Sequence, residues 1–570
     1  EEWVSEFDTE VDPNIVWTAG NVQEVLPDQL SPFNCSINLK MLEEFGEKGI
    51  ERMGLRLEKP VIFNAIFYGR PFLNVTLTAD VSDQIPFASV DGIMDQFYDI
   101  PRDLLPQPTP FSPRKLWRYV NTLPRMLWFT LRYGADVRRA ERTVDQFELE
   151  LADRTRSDLD DEALLRLIEE GLMPGADVAI THISGAGLTS ARFDMLRALT
   201  RSWLDDEDGS LHARLCTGLA SLESAQPAYE LWDLSRLVLA SEGLREAFAS
   251  HDGTEIERRV AALEGDDALA FRRRLAEFLQ RHGHRSVMEA EIAAESWEED
   301  LPTVFAMIRN YLQADDALSP ARIEERQRHE REQATREGLA RLSWWRRPVF
   351  RRLLKVGQDS VTSREHTKSL LVRGTQRGRR LTRELARRLA ARGLLDDVFD
   401  FYFLTLDDVD ALVRGELDRA AAYERIDRRK TEARRNEDVA LPEYFRGRPK
   451  PLGPGERPLP DGDTLRGIAV SPGRVTGRAR VILDPRKDAT IEPGEILVAP
   501  VTDAGWTPLF VAAAGVVVDI GGTLSHGSTV AREYGLPAVV NVKYGTRMIK
   551  TGQTITVDGT LGVVVLDSGQ

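Results

Sequence analysis

A stretch dense in proline divides this chain and limits what can fold on either side of it. Residues 446–463 read RGRPKPLGPGERPLPDGD and contain five prolines. Proline lacks a backbone donor and fixes φ, so this stretch excludes a helix or a central strand and favours an extended, semi-rigid spacer. The sequence therefore predicts a linker over 446–463, with a large domain over 1–445 and a small one over 464–570.

The segment after the linker alternates strand and helix signals. A helix is expected at about 526–534, where Gly535 and then Pro537 end it. Short β-branched runs bounded by Gly or Pro predict the strands. These runs are GIAVSPG, ARVIL, EILVAP, GVVVDI, PAVVNV, TITVDG and GVVVL.

The long segment before the linker has a different pattern. Its first 120 or so residues mix prolines with aromatic residues, and VIFNAIFYGRPFLNVTL predicts strands there. From about 130 to 440, runs such as LDDEALLRLIEEGL and LTRELARRLAARGLL place apolar residues at helical spacing. We therefore expect a multidomain α and α/β protein, in which a large, mostly α-helical domain precedes a β/α domain.

Charge and cysteine content exclude several classes of protein. The net charge of −16 argues against general nucleic-acid binding, which needs a basic surface. The two cysteines, Cys35 and Cys216, provide neither a metal-ligand spacing nor a disulfide framework, so a cytoplasmic location is the expectation. No run of about 18 apolar residues predicts a membrane span, and no signal peptide is visible. Because the first residue is Glu, we expect a trimmed chain or part of a longer one.

The segment 515–542, GVVVDIGGTLSHGSTVAREYGLPAVVNV, combines a strand, a glycine turn and a helix start. The glycine pair permits unusual backbone angles, and His526 opens the helix. Free N–H groups and the positive end of the helix dipole make this position an anion site and disfavour the imidazolium. A neutral imidazole there is a candidate nucleophile towards phosphorus. The candidate phosphate-loop residues are Gly521, Gly522, Thr523, Ser525 and Arg532.

A histidine beside a glycine pair is usually a simple helix start, so the surrounding residues decide between the two interpretations. The string GGTLSHGSTVAREYGLPAV resembles the phosphohistidine signature of the phosphoenolpyruvate-utilising enzymes. The resemblance extends through AVSPG at 469–473, ILVAPVTDAGWTPLF at 496–510 and VDG at 557–559. It departs at 527–529, where Gly-Ser-Thr replaces the family's frequent Ala-Ala-Ile. It implies a β/α swivelling domain that carries a phosphoryl group on His526.

Domain order narrows the resemblance to the rifampicin phosphotransferases. Pyruvate phosphate dikinase, phosphoenolpyruvate synthase and enzyme I of the sugar phosphotransferase system place a large barrel after the phosphohistidine domain. We expect none here, because the sequence stops at Gln570. Residues 1–445 resemble the substrate domain of rifampicin phosphotransferase at WTAGNVQEVLPDQLSPF, FYGRPFLNVT and HGHRSVMEAEIAAESWEEDLPTV. Matching positions include Asn21, Glu24, Pro27, Gly283, His284, Arg285, Glu289 and Glu291.

The resemblance also implies substrate contacts, and each proposed contact has a structural alternative. A carboxylate among them is expected to take the proton of an attacking hydroxyl. Arg285 and Glu289 also read as an i, i+4 pair on a helix surface. The arginine-rich stretch 321–392 is either a solvated helix face or a phosphate-attracting surface. The candidate substrate residues are Arg285, Glu289, Glu291, Arg364 and Glu365.

The family mechanism implies that ATP, with Mg²⁺, phosphorylates the histidine through its β-phosphate, and that the histidine then donates to a hydroxyl of a small organic molecule. No Walker A string or other glycine-rich phosphate loop lies outside 521–528, so a separate or removed ATP-grasp domain or subunit is the expected donor. Phosphoenolpyruvate stays open as the donor. We expect a dikinase-type phosphotransferase; a phosphocarrier or regulatory subunit without its own substrate is the alternative. No tightly bound cofactor, metal, nucleic acid or membrane partner is expected of this chain.

Overall fold

A computed structural model describes the protein over residues 4–20, 22, 26, 29–57, 61–85, 104, 112–153, 159–172, 175–207, 209–219, 223, 226–314, 316, 319–453, 462–487, 490–523 and 525–567. Three positions of the family resemblance, Asn21, Glu24 and Pro27, lie outside these ranges, as do residues 454–461 of the predicted linker. The predicted division at 446–463 therefore stays a prediction.

Packing divides the chain into two compact units. Unit 1 consists of Glu1–Leu188, Ala290–Ala293 and Thr367–Pro458. Unit 2 consists of Thr189–Glu289, Ala294–His366 and Leu459–Gln570. Unit 2 therefore contains the segment with the candidate histidine together with part of the predicted helical domain.

Helices make up most of the described chain, as the spacing of apolar residues predicted. Two 3₁₀ segments, Val398–Phe403 and Ala504–Trp506, accompany the α-helices. The α-helices are α1 (Pro32–Arg52), α2 (Val75–Asp83), α3 (Pro113–Asp153), α4 (Asp161–Leu172), α5 (Gly175–Leu204), α6 (Ser210–Leu215), α7 (Gln226–Ala240), α8 (Glu242–Ala247), α9 (Gly253–Ala262), α10 (Asp266–His282), α11 (Leu301–Asn310), α12 (Pro320–Arg341), α13 (Arg346–Ala391), α14 (Leu406–Val413), α15 (Arg419–Glu437), α16 (Thr507–Phe510), α17 (His526–Tyr534) and α18 (Gly545–Met548).

The strands of the described residues form two sheets, one in each unit. Unit 1 has a four-stranded antiparallel sheet in the order β2-β3-β1-β4. Unit 2 has an eight-stranded sheet in the order β5-β12-β11-β7-β8-β9-β10-β6. The strands are β1 (Val16–Thr18), β2 (Asn64–Phe67), β3 (Arg70–Asn74), β4 (Tyr444–Arg446), β5 (Thr464–Arg466), β6 (Ile468–Ser471), β7 (Arg474–Val481), β8 (Ile496–Ala499), β9 (Gly515–Val518), β10 (Ala538–Val540), β11 (Thr554–Asp558) and β12 (Val563–Leu566).

Four neighbouring strands at the centre of the larger sheet run parallel, from β7 through β8 and β9 to β10. Every residue of β8 and β9 is buried, which explains their unbroken runs of β-branched and aliphatic residues. Helix α17 connects β9 to β10, as in a βαβ unit. Its side chains Val530, Ala531 and Tyr534 join a core that also contains Leu231, from α7, and other helical residues of unit 2.

The fold class predicted from the sequence is confirmed: a largely helical chain is followed by a β/α domain. The strand prediction near residue 70 holds only in part, because VTL begins α2. Asn74 caps that helix by accepting a hydrogen bond from the backbone N–H of Leu77 at 2.8 Å, and this cap outweighs the β-branched composition. Among the described residues, no helix combines the length and apolar character needed to cross a membrane.

Candidate active site

A tight turn followed by a capped helix presents His526. Strand β9 leads to the glycine pair at 521–522 and then to Ser525, the N-cap of α17. The Ser525 hydroxyl accepts a hydrogen bond from the backbone N–H of Ser528 at 3.3 Å. His526 is therefore the first residue of the helix, at the positive end of the helix dipole.

The imidazole of His526 is enclosed and is oriented by a threonine of a neighbouring turn. Its Nε2 lies 2.9 Å from Oγ1 of Thr507, the first residue of α16. Only 4% of His526 and 0% of Thr507 are exposed to solvent. Because a hydroxyl both donates and accepts, Thr507 orients the ring in either neutral tautomer.

Two close contacts hold the glycine turn and the helix start in place. Ser528 Oγ donates to the carbonyl of Gly522 at 2.6 Å and lies 2.8 Å from Ser525 Oγ. A Cβ at Gly527 would lie 2.2 Å from Oγ1 of Thr502, so only glycine fits there without rearrangement. In the Gly-Ser-Thr segment, where the sequence departs from the family pattern, the glycine thus leaves room for Thr502 and the serine hydrogen-bonds the turn.

Arg532 fixes the middle of α17 through neutral oxygen atoms. Its Nη1 donates to the carbonyl of Thr523 at 2.8 Å, and its Nη2 lies 3.4 Å from Oγ1 of Thr529. The hydroxyl of Thr217 donates to the Arg532 carbonyl at 2.6 Å. Arg532 thus ties the loop before His526 to the helix, and the helix to the helical part of unit 2.

Burial shifts the pKa values of the charged groups around α17. It lowers the pKa of Arg532 and raises the pKa of Glu533 to about 8. One oxygen of Glu533 accepts a hydrogen bond from the backbone N–H of Leu219 at 3.3 Å. Burial also raises the pKa of Asp519, although hydrogen bonds from Thr546 act in the opposite direction. At neutral pH, Glu533 is therefore mostly protonated.

Arg285 and Glu289 form an enclosed ion pair in an irregular loop. Arg285 Nη1 donates to Glu289 Oε1 at 3.0 Å, and their side chains are 4% and 2% exposed. The interpretation of these residues as an exposed pair on a helix is wrong. Helix α10 ends at His282, residues 283–300 contain no helix, and the φ of Met288, +62°, is incompatible with a continuing helix.

The Arg285 loop contacts the turn that positions His526. The backbone N–H of Met288 donates to Oδ2 of Asp503 at 2.7 Å, while Oδ1 of Asp503 accepts from the N–H of Gly505 at 2.9 Å. A Cβ at Gly505 would lie 2.8 Å from a side-chain carbon of the loop. Within unit 2, the loop that carries two of the predicted substrate residues therefore packs, through its residues 286–288, against the turn that ends at Thr507.

Glu291, another predicted substrate residue, belongs to unit 1. Its Oε1 accepts from the Ser31 hydroxyl at 2.8 Å, and its Oε2 accepts from the Asn34 amide at 2.9 Å, at the start of α1. Its backbone carbonyl accepts from Arg379 Nη2 at 2.9 Å. These contacts favour a structural role for Glu291, which secures the beginning of α1.

Arg364 and Glu365 lie on α13 within unit 2. Arg364 Nη1 donates to Glu365 Oε1 at 3.1 Å, and Glu365 is buried. Burial has the largest effect on the pKa of Arg532, but the charge of Arg364 lowers it further and that of Glu365 raises it. The next residue, His366, places Nδ1 2.5 Å from Oε1 of Glu223. Arg364 and Glu365 therefore lie within electrostatic reach of Arg532 on α17.

Sequence reasoning did not single out Thr502, Asp503 or Thr507. All three lie in the stretch 496–510, which contributed to the family resemblance, and all three are buried. The available signal was the polar pair Thr502-Asp503 shortly after the buried strand β8, since the carboxyl ends of parallel strands are common positions for site residues. Their contacts with Met288 and His526 required the structure.

Two family profiles match separate parts of this chain. The profile described as "PEP-utilising enzyme, mobile domain" matches residues 491–562, which include the His526 turn and α17. The profile described as "Rifampicin phosphotransferase fourth domain" matches residues 180–365. The chain is a relative of the rifampicin phosphotransferases and carries a PEP-utilising mobile domain. The resemblance drawn from its motifs is therefore confirmed.

Individual relatives agree with these matches. An uncharacterized protein of Mycobacterium tuberculosis is 30% identical over 98% of this chain and 62% of its own length. Prodigiosin synthesizing transferase PigC of Serratia marcescens is 31% identical over 67% of this chain and 43% of its own length. A rifampicin phosphotransferase of Bacillus cereus is 32% identical over 50% of this chain and 33% of its own length. The chain therefore spans less than two thirds of each of these relatives.

Proposed function

We propose that this chain is the acceptor and transfer part of a phosphotransferase, in which His526 carries a phosphoryl group to a hydroxyl of a small organic molecule. One observation carries the proposal. In the PEP-utilising mobile domain, a histidine occupies the first position of a capped helix and its ring is oriented by Thr507. A helix start is suited to phosphate, and an oriented neutral imidazole is suited to nucleophilic attack.

In the first half reaction, an imidazole nitrogen of His526 attacks a phosphorus atom of the donor. An N–P bond forms, the donor P–O bond breaks, and the leaving group keeps the bonding electrons. The positive end of the α17 dipole and the loop N–H groups then offset the charge of the new phosphoryl group. Ser525 and Thr523 flank that position, and Arg532 holds their loop through the Thr523 carbonyl.

In the second half reaction, a substrate hydroxyl attacks the phosphorus of phosphohistidine. An O–P bond forms, the N–P bond breaks, and the hydroxyl proton goes to a general base. We assign this role to Glu289, because its loop contacts the 503–507 turn that positions His526. Arg285, paired with Glu289 at 3.0 Å, keeps that carboxylate in place.

The donor part is proposed to be an ATP-grasp domain or subunit that holds ATP and Mg²⁺. Among the residues that the structure describes, no group of three or more His, Cys, Asp or Glu side chains is placed to hold a metal ion, and the proposal assigns Mg²⁺ to the donor part. His526 is 4% exposed, and it reaches a donor only if the domain at 464–570 moves about the proline-rich segment 446–463. This dikinase arrangement forms part of the proposal.

The first half reaction is tested by labelling of the histidine. The chain is incubated with an ATP-grasp partner and ATP labelled at the β-phosphate, and acid-labile label is mapped by peptide. We expect label on the peptide containing His526, no label after His526→Gln, and unchanged label after the control substitution His251→Gln at an exposed histidine. Label on His284 or His366 would contradict the proposal.

Acceptor identity is addressed by mass spectrometry of a metabolite and antibiotic library incubated with the labelled chain. A compound that gains the mass of one phosphoryl group, only with intact His526, supports an enzyme with its own substrate. Stable label with no acceptor in the library, and transfer to a protein instead, would support the phosphocarrier alternative.

A further inference from the structure

The hairpin between α12 and α13 carries exposed tryptophans at its tip. Trp344 is 82% exposed and Trp345 is 52% exposed, and Val349 on the first turn of α13 is 44% exposed. Arg346 lies 5.0 Å from the ring centroids of both Trp345 and Trp203, which braces Trp345 against unit 2. Trp344 has the larger exposed fraction, so packing within the core does not explain why a large apolar side chain occupies this position.

The same hairpin concentrates positive charge in a chain whose net charge is −16. Residues 335–355 contain seven Arg or Lys residues and one acidic residue, Glu337, which is already paired with Arg214 at 3.0 Å. None of the six arginines in this stretch forms an ion pair with a described residue, and three of them also lack a side-chain hydrogen bond or ring contact with one. These are Arg336, Arg351 and Arg352.

Behind the tip, the two helices form a cationic groove with a volume of about 500 Å³. Four of its lining side chains are positive and one is negative. The charged lining residues are Arg331, Arg336, Arg351, Lys355 and Glu332. Its other lining residues are Thr335, Leu354 and Gln358, so the groove has no aromatic side chain.

We propose that this hairpin docks on an anionic lipid surface, with Trp344 at the boundary between head groups and acyl chains and the groove cations among the phosphates. The positions of the cations along α13 support a lipid surface as the partner. With a rise of about 1.5 Å per residue, Arg351 and Lys355 lie roughly 9 and 15 Å behind Trp345. Tryptophan prefers the interface, and cations near it attract anionic head groups.

Other occupants fit the surface less well. A single-stranded nucleic acid needs aromatic side chains inside the cationic groove for base stacking, whereas these tryptophans lie on the convex tip. A second copy of this surface would bring like charges together. Attachment to a membrane surface needs no spanning segment, so it is a separate property from the membrane span that the sequence does not predict. This inference does not depend on phosphotransfer by His526.

The test is co-sedimentation of the full chain with vesicles of phosphatidylcholine alone and of phosphatidylcholine with phosphatidylglycerol. We expect binding to the anionic vesicles that falls with added salt, and none to the neutral ones. Trp344→Ser should weaken binding at least tenfold. The double variant Arg336→Gln, Arg351→Gln should weaken binding about thirtyfold, because the loss of each cation near an anionic surface lowers the affinity about fivefold.

Matched controls remove an exposed apolar side chain and an exposed cation elsewhere in unit 2. Leu269→Ser and Arg273→Gln, both on α10, should bind vesicles like the parent chain, and circular dichroism should show all variants folded. Equal binding to neutral vesicles would overturn the proposal. So would vesicle binding that the hairpin substitutions leave intact, or binding to a single-stranded oligonucleotide with no binding to vesicles.

Discussion

Oγ1 of Thr507 lies 2.9 Å from Nε2 of His526, and both groups are enclosed. The two residues come from different elements: Thr507 opens α16 after β8, and His526 opens α17 after β9. Because β8 and β9 are neighbouring parallel strands, their carboxyl ends meet at one edge of the sheet. The contact therefore follows from the topology, and it fixes the ring of the proposed nucleophile.

Removal of the Thr507 hydroxyl should slow phosphorylation of His526. Thr507→Val keeps the shape of the side chain but loses a hydrogen bond of about 1 kcal/mol, which corresponds to a roughly five- to tenfold lower rate. The measurement is the initial rate of β-phosphate labelling with the donor part present. Thr554→Val, at an exposed position of β11, is the control, and an equal loss of rate in that variant would count against an orienting role.

Gly527→Ala should disrupt the histidine loop by a direct clash. The new Cβ would lie 2.2 Å from Oγ1 of Thr502 but 3.4 Å from its Cβ. Combining Gly527→Ala with Thr502→Ala removes the clashing atom, so phosphorylation lost in the single variant should return in the double variant. As a control, Gly374→Ala in α13 meets no atom within 4 Å and should raise stability by about 1 kcal/mol. Failure of the double variant to recover would contradict the steric explanation.

Glu289→Gln should separate the two half reactions. Loss of the carboxylate removes the proposed base, so transfer to the hydroxyl should fall at least about a hundredfold while His526 labelling stays within about twofold. Because the change also breaks an enclosed ion pair with Arg285, stability should fall by roughly 3 kcal/mol. Single-turnover assays follow the two steps. Glu255→Gln, at an exposed ion pair, is the control. A transfer rate equal to that of the parent chain would place the base elsewhere.

Stability should depend on pH through Glu533. Burial raises its pKa to about 8 in the folded protein, against an ordinary value near 4.5, so the folded state holds a proton that the unfolded state releases between these values. Stability from this group is therefore fully present below about pH 4.5 and is lost as pH rises towards 8. Glu533→Gln removes that dependence and should be more stable than the parent at pH 8 by on the order of 4 kcal/mol. Parallel urea denaturation curves at pH 5 and pH 8 check it; an unchanged difference between the two proteins would refute the prediction.

The sequence determined the local elements of the mobile domain well. Gly535 adopts a φ of +63° and ends α17 at Tyr534, as the Gly-x-Pro signal at its end predicted. Many of the strand boundaries in this domain lie beside a Gly or a Pro, which gave those boundaries a local signal. The strand β5 and the short helices α16 and α18 were not predicted, because each has only three or four residues and depends on packing.

Contacts between distant segments could not be predicted in the same way. Arg285 and Glu289 are four residues apart whether the segment is a helix or a loop, so their spacing did not reveal that the preceding helix ends at His282 and that Met288 has a positive φ. Likewise, Glu291 matched a family position, yet its carboxylate caps α1 through Ser31. Side-chain identity indicates which chemistry is available, whereas the packing of distant segments decides which groups meet.

Enclosure of the histidine ring has a consequence for how long a phosphoryl group would survive on it. A phosphoramidate is lost to hydrolysis when water reaches its phosphorus, and His526 is 4% exposed in the docked arrangement of unit 2. On the proposed mechanism, water reaches the phosphoryl group on His526 mainly when the mobile domain leaves this arrangement to meet the donor. The movement that permits loading therefore also sets how fast the phosphoryl group is lost to hydrolysis.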